Sequence, residues 1–333
     1  MAGFLVVVVQ WQNIFLWRRE SGVQFPSTTQ CRATKVSNES VAGMNEKSIK
    51  LAIQKNGRLT NETLDFLRKA GFEFESYTQK LFASCRNFPL EIIFVRDDDI
   101  PDYVATGSVD IGILGQNLLY EERPANVRKL LNLRYGFCTL TLAVPKESTI
   151  QTLADLNNKT IATTYPESVK SFFAKNDLSV ETIKINGSVE IAPTLGIAQA
   201  IADLTSTGST LTLNDLRPLS KIYDSEAVLI ANKQSTLSND KGILINKLMT
   251  RFKGVLSAQN YKYVMMNAPQ EILPKLQKIT PGLKAPTISP LAKEGWLSVQ
   301  TVIKEDVFWD TIEKLKKAGA SGIIVLPIEK IIM

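Results

Sequence analysis

Asp203 and the loop after it, Thr205-Ser206-Thr207-Gly208-Ser209-Thr210, have the residue types and spacing for anion chemistry. The apolar run 200–204 reads as a buried strand that delivers Asp203 to its carboxyl end. Five hydroxyl residues then surround one glycine. Gly208 permits a turn in which successive backbone N–H groups face one anion, and the hydroxyls add donors. A helix starting just beyond would bring its positive end to the same place. Asp203 could accept hydrogen bonds from sugar hydroxyls or help hold Mg2+. This set suits a phosphate or pyrophosphate carried on ribose. A Ser/Thr loop that only caps the next helix accounts for the segment equally well. The segment contains no Gly-Lys-Ser/Thr, so it is not an ATPase phosphate loop.

Three further groups are candidates. Lys55 and Arg58 flank Gly57 just after an apolar run, where open α/β sheets place ligands. Taken alone, a solvated turn is the better account of them. Glu190 follows another short strand, where it could bind ribose hydroxyls or cap a helix. Tyr165, before Pro166, could stack on a base or simply pack.

The chain has no histidine. That excludes a Ser-His-Asp triad, His-ligated zinc and an imidazole general base. Chemistry must run on carboxylates, hydroxyls, amides and basic side chains, with or without a magnesium ion. The net charge of +6 is spread along the chain, which suits small anionic substrates better than nucleic acid. Cys31, Cys85 and Cys138 are odd in number and far apart, which points to reduced thiols and a cytoplasmic setting.

The elements that must position these residues follow from periodicity. Apolar runs at 49–54, 91–95 and 109–114 read as strands. Between them, Leu64, Phe66 and Leu67 mark a helix closed by Gly71, and 96–101 a helix start. Alternation of strands and helices predicts a parallel, doubly wound sheet. A second set follows: strands at 137–144, 159–162, 181–185 and 200–204, with a helix around 168–175. Strands at 222–223 and 227–231 return to the first lobe. Two lobes joined by crossing strands, as in periplasmic-binding-protein folds, enclose a cleft. The last segment predicts strands at 262–267, 286–291, 296–303 and 322–326, with a short helix opened by Pro269 and a longer one at 305–318. That order is the ferredoxin-like βαββαβ arrangement. The expected division is one lobe from 48–136 with 219–235, a second from 137–218, and a third domain from 260–333.

Residues 1–43 read differently. The apolar run 4–9 has no basic start and is soon broken by Gln10, Gln12 and Asn13, so neither a signal peptide nor a membrane span is expected. An organellar transit peptide is possible, but a start at Met44 is the simpler expectation.

The segments QKNGRL (54–59), RDDDIP (96–101), VDIGILG (109–115), IATTYP (161–166), NGSVEIAP (186–193), DLTSTGSTL (203–211), DSEAVLI (224–230) and PGLKAPTISPL (281–291), in this order and spacing, resemble the long form of ATP phosphoribosyltransferase. The resemblance covers 48–333. It implies attack by N1 of the ATP adenine on C1 of phosphoribosyl pyrophosphate, with Mg2+ on the departing pyrophosphate. It assigns phosphoribosyl pyrophosphate to Glu190, Asp203, Thr205, Ser206, Thr207, Gly208, Ser209 and Thr210. ATP and phosphate contacts fall to Lys55, Gly57, Arg58 and Tyr165. A regulatory histidine would meet Asn267, Leu283, Thr287, Val302 and Gly322. Relatives tend to carry a charged or imidazole side chain where this chain has Asn267, which bears on the strength of inhibition. The resemblance also implies a homo-oligomer, from dimer to hexamer. Two other readings fit the two lobes: a solute-binding module without chemistry, and a nucleobase phosphoribosyltransferase. The latter usually has two adjacent acids, whereas Ala202 precedes Asp203 here.

Overall fold

The computed structural model describes residues 48–75, 81–206, 208–235 and 239–332. The segment 1–43 and the expected start at Met44 lie outside them. In chain order the elements are β1 (Ile49–Gln54), α1 (Thr60–Lys69), β2 (Phe82–Ser84), β3 (Leu90–Val95), α2 (Ile100–Ala105), β4 (Ile111–Gly115), α3 (Gln116–Glu122) and β5 (Val127–Asn132). Then come β6 (Cys138–Pro145), β7 (Thr160–Thr163), α4 (Pro166–Ala174), β8 (Glu181–Lys184), β9 (Ala200–Thr205), α5 (Ser209–Leu213), β10 (Leu216–Ser225), β11 (Ala227–Asn232) and α6 (Asn239–Ala258). The last are β12 (Tyr261–Pro269), α7 (Leu273–Ile279), β13 (Thr287–Pro290), β14 (Trp296–Lys304), α8 (Phe308–Ala318) and β15 (Ser321–Pro327).

The first sheet has the order β2-β3-β1-β4-β11-β5. Its central strands are apolar on both faces because helices cover both. Leu51 and Ile53 pack with Phe66 of α1 and Leu248 and Phe252 of α6, while Ala52 packs with Ile100 and Val104 of α2 and Leu118 of α3. β1 runs parallel to β3 and β4, as expected, but β11 and β5 are antiparallel neighbours, and β2 is antiparallel to β3. The sheet is therefore mixed, not purely parallel. β11 arrives from the second lobe and must enter against the direction of β4.

The second sheet has the order β10-β6-β9-β7-β8, with β7 parallel to β8 and β9, and β6 antiparallel to β9 and β10. The chain crosses between sheets twice, after β5 and again between Ser225 and Ala227. The expected lobe boundary at 219 falls inside β10. Glu226 ties the crossings together: its carboxylate accepts Asn132 Nδ2 at 2.6 Å and the Arg134 N–H at 2.8 Å.

The third sheet, β13-β14-β12-β15, is antiparallel throughout and carries α7 and α8 on one face. Val264, Met266 and Ala268 alternate inward along β12, the period a half-covered sheet requires.

The 20-residue α6 joins the first lobe to this domain. Asp110, buried at the head of β4, accepts Lys241 Nζ of α6 and Ser235 Oγ, each at 2.8 Å, and the Lys50 N–H at 2.9 Å. That pairing is what a buried carboxylate needs. Near its end α6 carries Gly254, and the C-terminal tail crosses there. The Ile331 N–H donates to Gly254 O at 3.0 Å, and a Cβ on Gly254 would stand 2.9 Å from Ile332 Cδ1. A mid-helix glycine costs about 1 kcal/mol relative to alanine, and the tail occupies the space it leaves.

Candidate functional site

The carboxyl ends of β4 and β7, one strand from each lobe, approach one another where Asn117 touches Tyr165, the kind of place where open α/β sheets hold ligands. β1 ends at Gln54, whose side-chain oxygen accepts the Leu59 N–H at 3.1 Å while its carbonyl accepts Thr60 Oγ1 at 3.2 Å. These bonds fold the 55–58 turn back on itself. Gly57, with φ of +150°, lies where a side chain would strain, and a Cβ there would overlap the Gln54 amide. Lys55 is half-buried, held by its N–H to Val95 O at 2.8 Å. Arg58 leans on the first crossing: its guanidinium donates to Cys138 Sγ at 3.1 Å and to Phe137 O at 3.4 Å.

Tyr165 follows β7 at the head of α4. Its N–H donates to Thr163 Oγ1 at 3.0 Å, and that hydroxyl donates to Ala202 O at 2.7 Å. Asn117 Nδ2, from the first lobe, donates to the Tyr165 hydroxyl at 3.3 Å. Burial pushes the phenol well above its ordinary range, and the carboxylates of Asp203 and Asp97 push in the same direction. The ring thus lies within electrostatic reach of acids from both lobes.

Asp203 projects from β9, where it is paired with Thr141 of β6. Its Oδ1 accepts the Leu204 N–H at 2.8 Å. Burial raises its pKa above the ordinary carboxylate range, and Glu190 adds to the rise. Glu190 reaches this place through a left-handed turn, with φ of +93° at Gly187 and +50° at Ser188, followed by a short helical turn anchored by buried Val189. The two acids therefore lie within electrostatic reach of one another. Thr205 behaves differently: its hydroxyl lies 3.0 Å from Thr141 Oγ1 and 3.3 Å from Thr139 O, fastened to the sheet. Ser206 and Thr210 are exposed. Gly208, φ +75°, is the N-cap of α5, so the first-turn amides of that helix open toward the loop. Thr207 and the side chain of Ser209 lie outside the described residues.

Sequence reasoning missed three residues at this junction. Asp97 opens the short helical turn that follows β3 and carries a raised pKa, mainly from burial and then from Asp98. The RDDDIP segment gave a signal for it, read only as a helix start. Asn117 N–H donates to Ser225 Oγ at 3.0 Å, and that hydroxyl donates back to Asn117 Oδ1 at 3.1 Å. Glu121 of α3 accepts the N–H groups of Glu167 and Ser168, both at 2.9 Å, and so caps α4 from the other lobe. No local pattern announces such long-range contacts.

In the third domain, strand register places Thr287, Val302, Asn267 and Gly322 on one sheet face, opposite α7 and α8. Thr287 pairs with Gln300 and so with Met265, and Val302 pairs with Tyr263. A Cβ on Gly322 would stand 3.1 Å from Asn267 Nδ2. Leu283 lies apart from them in sequence, in the exposed connection between α7 and β13.

Among the described residues no cluster of three acids, cysteines or histidines could hold a metal ion by itself, and no helix is long and apolar enough to cross a membrane. The family model for ATP phosphoribosyltransferase matches residues 96–254, and the model for the HisG C-terminal domain matches 258–330. The chain is 43% identical over 284 residues to the ATP phosphoribosyltransferase of Cytophaga hutchinsonii, covering 85% of this chain and 98% of that one. It is 44% identical over 285 residues to the ATP phosphoribosyltransferase of Parabacteroides distasonis, covering 86% of this chain and 100% of that one. A solved ATP phosphoribosyl transferase (HisG:HisZ) complex from Thermotoga maritima is similar over 62% of this chain and 96% of that one, at 27% identity and a TM-score of 0.53.

Proposed function

The chain belongs to the ATP phosphoribosyltransferase family, and from that premise we propose that it transfers the phosphoribosyl group of phosphoribosyl pyrophosphate to N1 of the ATP adenine, the first step of histidine biosynthesis. The bond from C1 of the ribose to N1 forms as the bond from C1 to the pyrophosphate oxygen breaks. The adenine nitrogen supplies the electron pair, so a chain without histidine loses nothing. Catalysis is positioning and charge stabilisation.

One observation supports this reading: Tyr165 feels the charges of Asp203 from its own lobe and Asp97 from the other, and Glu190 acts on Asp203. In the proposed arrangement Asp203 and Glu190 take the ribose hydroxyls. The loop amides and hydroxyls around Gly208 take the 5-phosphate. Lys55 and Arg58, turned by Gly57, face the polyphosphate, and Tyr165 supports the adenine. The donor set fits magnesium that arrives on the pyrophosphate, because such an ion needs only one or two protein carboxylates beside phosphate oxygens and water. When bound, it would neutralise charge on the departing pyrophosphate. ATP and phosphoribosyl pyrophosphate imply a cytoplasmic setting.

The third domain is the feedback module, and we place histidine on the face that carries Asn267, Thr287, Val302 and Gly322, with Leu283 closing over it. The same face holds Ile324 and Leu326, 48% and 47% exposed on the edge strand β15. Burial of that strip favours a homo-oligomer, from dimer to hexamer.

The test is pyrophosphate release from phosphoribosyl pyrophosphate with ATP, with free bases, and with neither. Release with ATP alone is expected. Release with free bases instead would make the chain a nucleobase transferase, and no release at all would make it a binding module.

A further inference from the structure

A cavity of about 380 Å³ lies outside the cleft, between α3 of the first lobe and α4 of the second. None of the candidate residues above lines it. Its α4 wall is one helical face, since Ser168, Ser171, Phe172 and Lys175 recur at the three- and four-residue spacing that stacks side chains. Across from them, Tyr120 and Tyr223 form a tilted ring pair with centroids 4.7 Å apart. Tyr223 is itself held by its hydroxyl, 3.2 Å from Ser168 Oγ.

The charge in this cavity is one-sided. Arg123 and Lys175 line it and no carboxylate does. Among the described residues neither cation forms a salt bridge. Of the two acids of α3, Glu121 is committed to the backbone of α4, and Glu122 does not line the cavity. Arg123 ends α3 in the left-handed region, φ 44°, and its guanidinium reaches over the gap between the lobes to Ser171 Oγ. A non-glycine residue held there is uncommon, and here the turn aims a cation at the opposite helix.

We propose that this cavity is a second small-molecule site, for an anion that carries a planar ring. The ring packs against Tyr120, Phe172 and Tyr223, and the phosphate or carboxylate meets Arg123 and Lys175. The volume suits a one- or two-ring ligand. Because α3 and α4 belong to different lobes, such a ligand bridges them and holds their mutual angle.

Calorimetry on the full chain tests this with phenyl phosphate, benzoate and uncharged benzyl alcohol. One site per chain is expected for phenyl phosphate, not displaced by saturating ATP and phosphoribosyl pyrophosphate, with no binding of benzyl alcohol. Benzoate binding as tightly as phenyl phosphate would identify the natural ligand as a carboxylate, and weaker binding as a phosphate. Combining Arg123→Met and Lys175→Met should weaken binding at least about tenfold. If a melt shows that the double variant does not fold, Lys175→Met alone is read the same way. No binding of either anion at millimolar concentration overturns the proposal. So does displacement by the substrates, or unchanged affinity in the variants.

Discussion

Asp203→Asn separates a catalytic acid from a structural one, because the structure gives its effects on stability and on rate different signs. Among the described residues the carboxylate has one protein donor, the Leu204 N–H, and it sits in partly buried surroundings within reach of the Glu190 charge. Burial and that neighbour raise its pKa, so the folded state disfavours the charge. A raised carboxylate contributes stability fully below its unfolded value of about 4 and loses it as pH rises through the folded value. At neutral pH the wild type has lost that contribution, and Asn, which carries no charge, removes the cause. The variant should melt at or slightly above the wild-type temperature at neutral pH, with a flatter dependence on pH across the acid range. Rate should move the other way. If the charge meets ribose hydroxyls or magnesium in the transition state, its loss costs about 2–4 kcal/mol, as for one preorganised electrostatic contact. That is about 30- to 1,000-fold in turnover. The assay is turnover at saturating ATP and phosphoribosyl pyrophosphate, paired with melts from acid to neutral pH. Near-normal turnover would refute the catalytic assignment and leave the weight on Glu190 and the loop amides. A large fall in melting temperature would show instead that the acid supports the fold.

Glu121→Ala removes the acceptor for two α4 amides and should cost about 1–2 kcal/mol in thermal unfolding; Glu121→Gln, which keeps one acceptor oxygen, should cost less, and equal losses would assign the effect to packing. Gly208→Val forces a β-branched residue to φ +75° but meets no atom within 4 Å, so phosphoribosyl pyrophosphate binding should fall sharply in calorimetry while the fold survives. Gly322→Ala places a Cβ 3.1 Å from Asn267 Nδ2 at φ +56°, and should weaken histidine inhibition without changing uninhibited turnover; undiminished inhibition would move the effector elsewhere.

The sequence made the strand ends legible because buried strands are apolar runs and ligands gather where such runs stop. Asp203, Glu190, Tyr165, Lys55 and Arg58 became candidates that way. Strand direction was not legible: β11 reads like any buried strand, and only the crossing from the second lobe makes it antiparallel. α6 escaped because Gly242 and Gly254 weaken its helical pattern, and its interior glycine makes sense only with the tail laid over it. β5, VRKLLN, is half polar because it is an edge. Asn117 and Glu121 act through partners 108, 46 and 47 residues away, a distance no local pattern spans.

The tail on α6 also restricts how the third domain can move. That domain leaves the catalytic lobes at Ala258, the end of α6, and its last strand runs on to meet α6 again at Gly254. The two anchors are four residues apart on one helix, roughly 6 Å along its axis. A rigid body pinned at two points keeps a single freedom, rotation about the line that joins them. While the tail stays seated, these anchors favour a roll of the third domain about the last turn of α6, and the Lys330 side chain, close to Gly71 of the first lobe, would resist even that. That turn packs Phe252, Val255 and Leu256 into the core beneath β1, so it is a short mechanical route from the third domain to the first lobe.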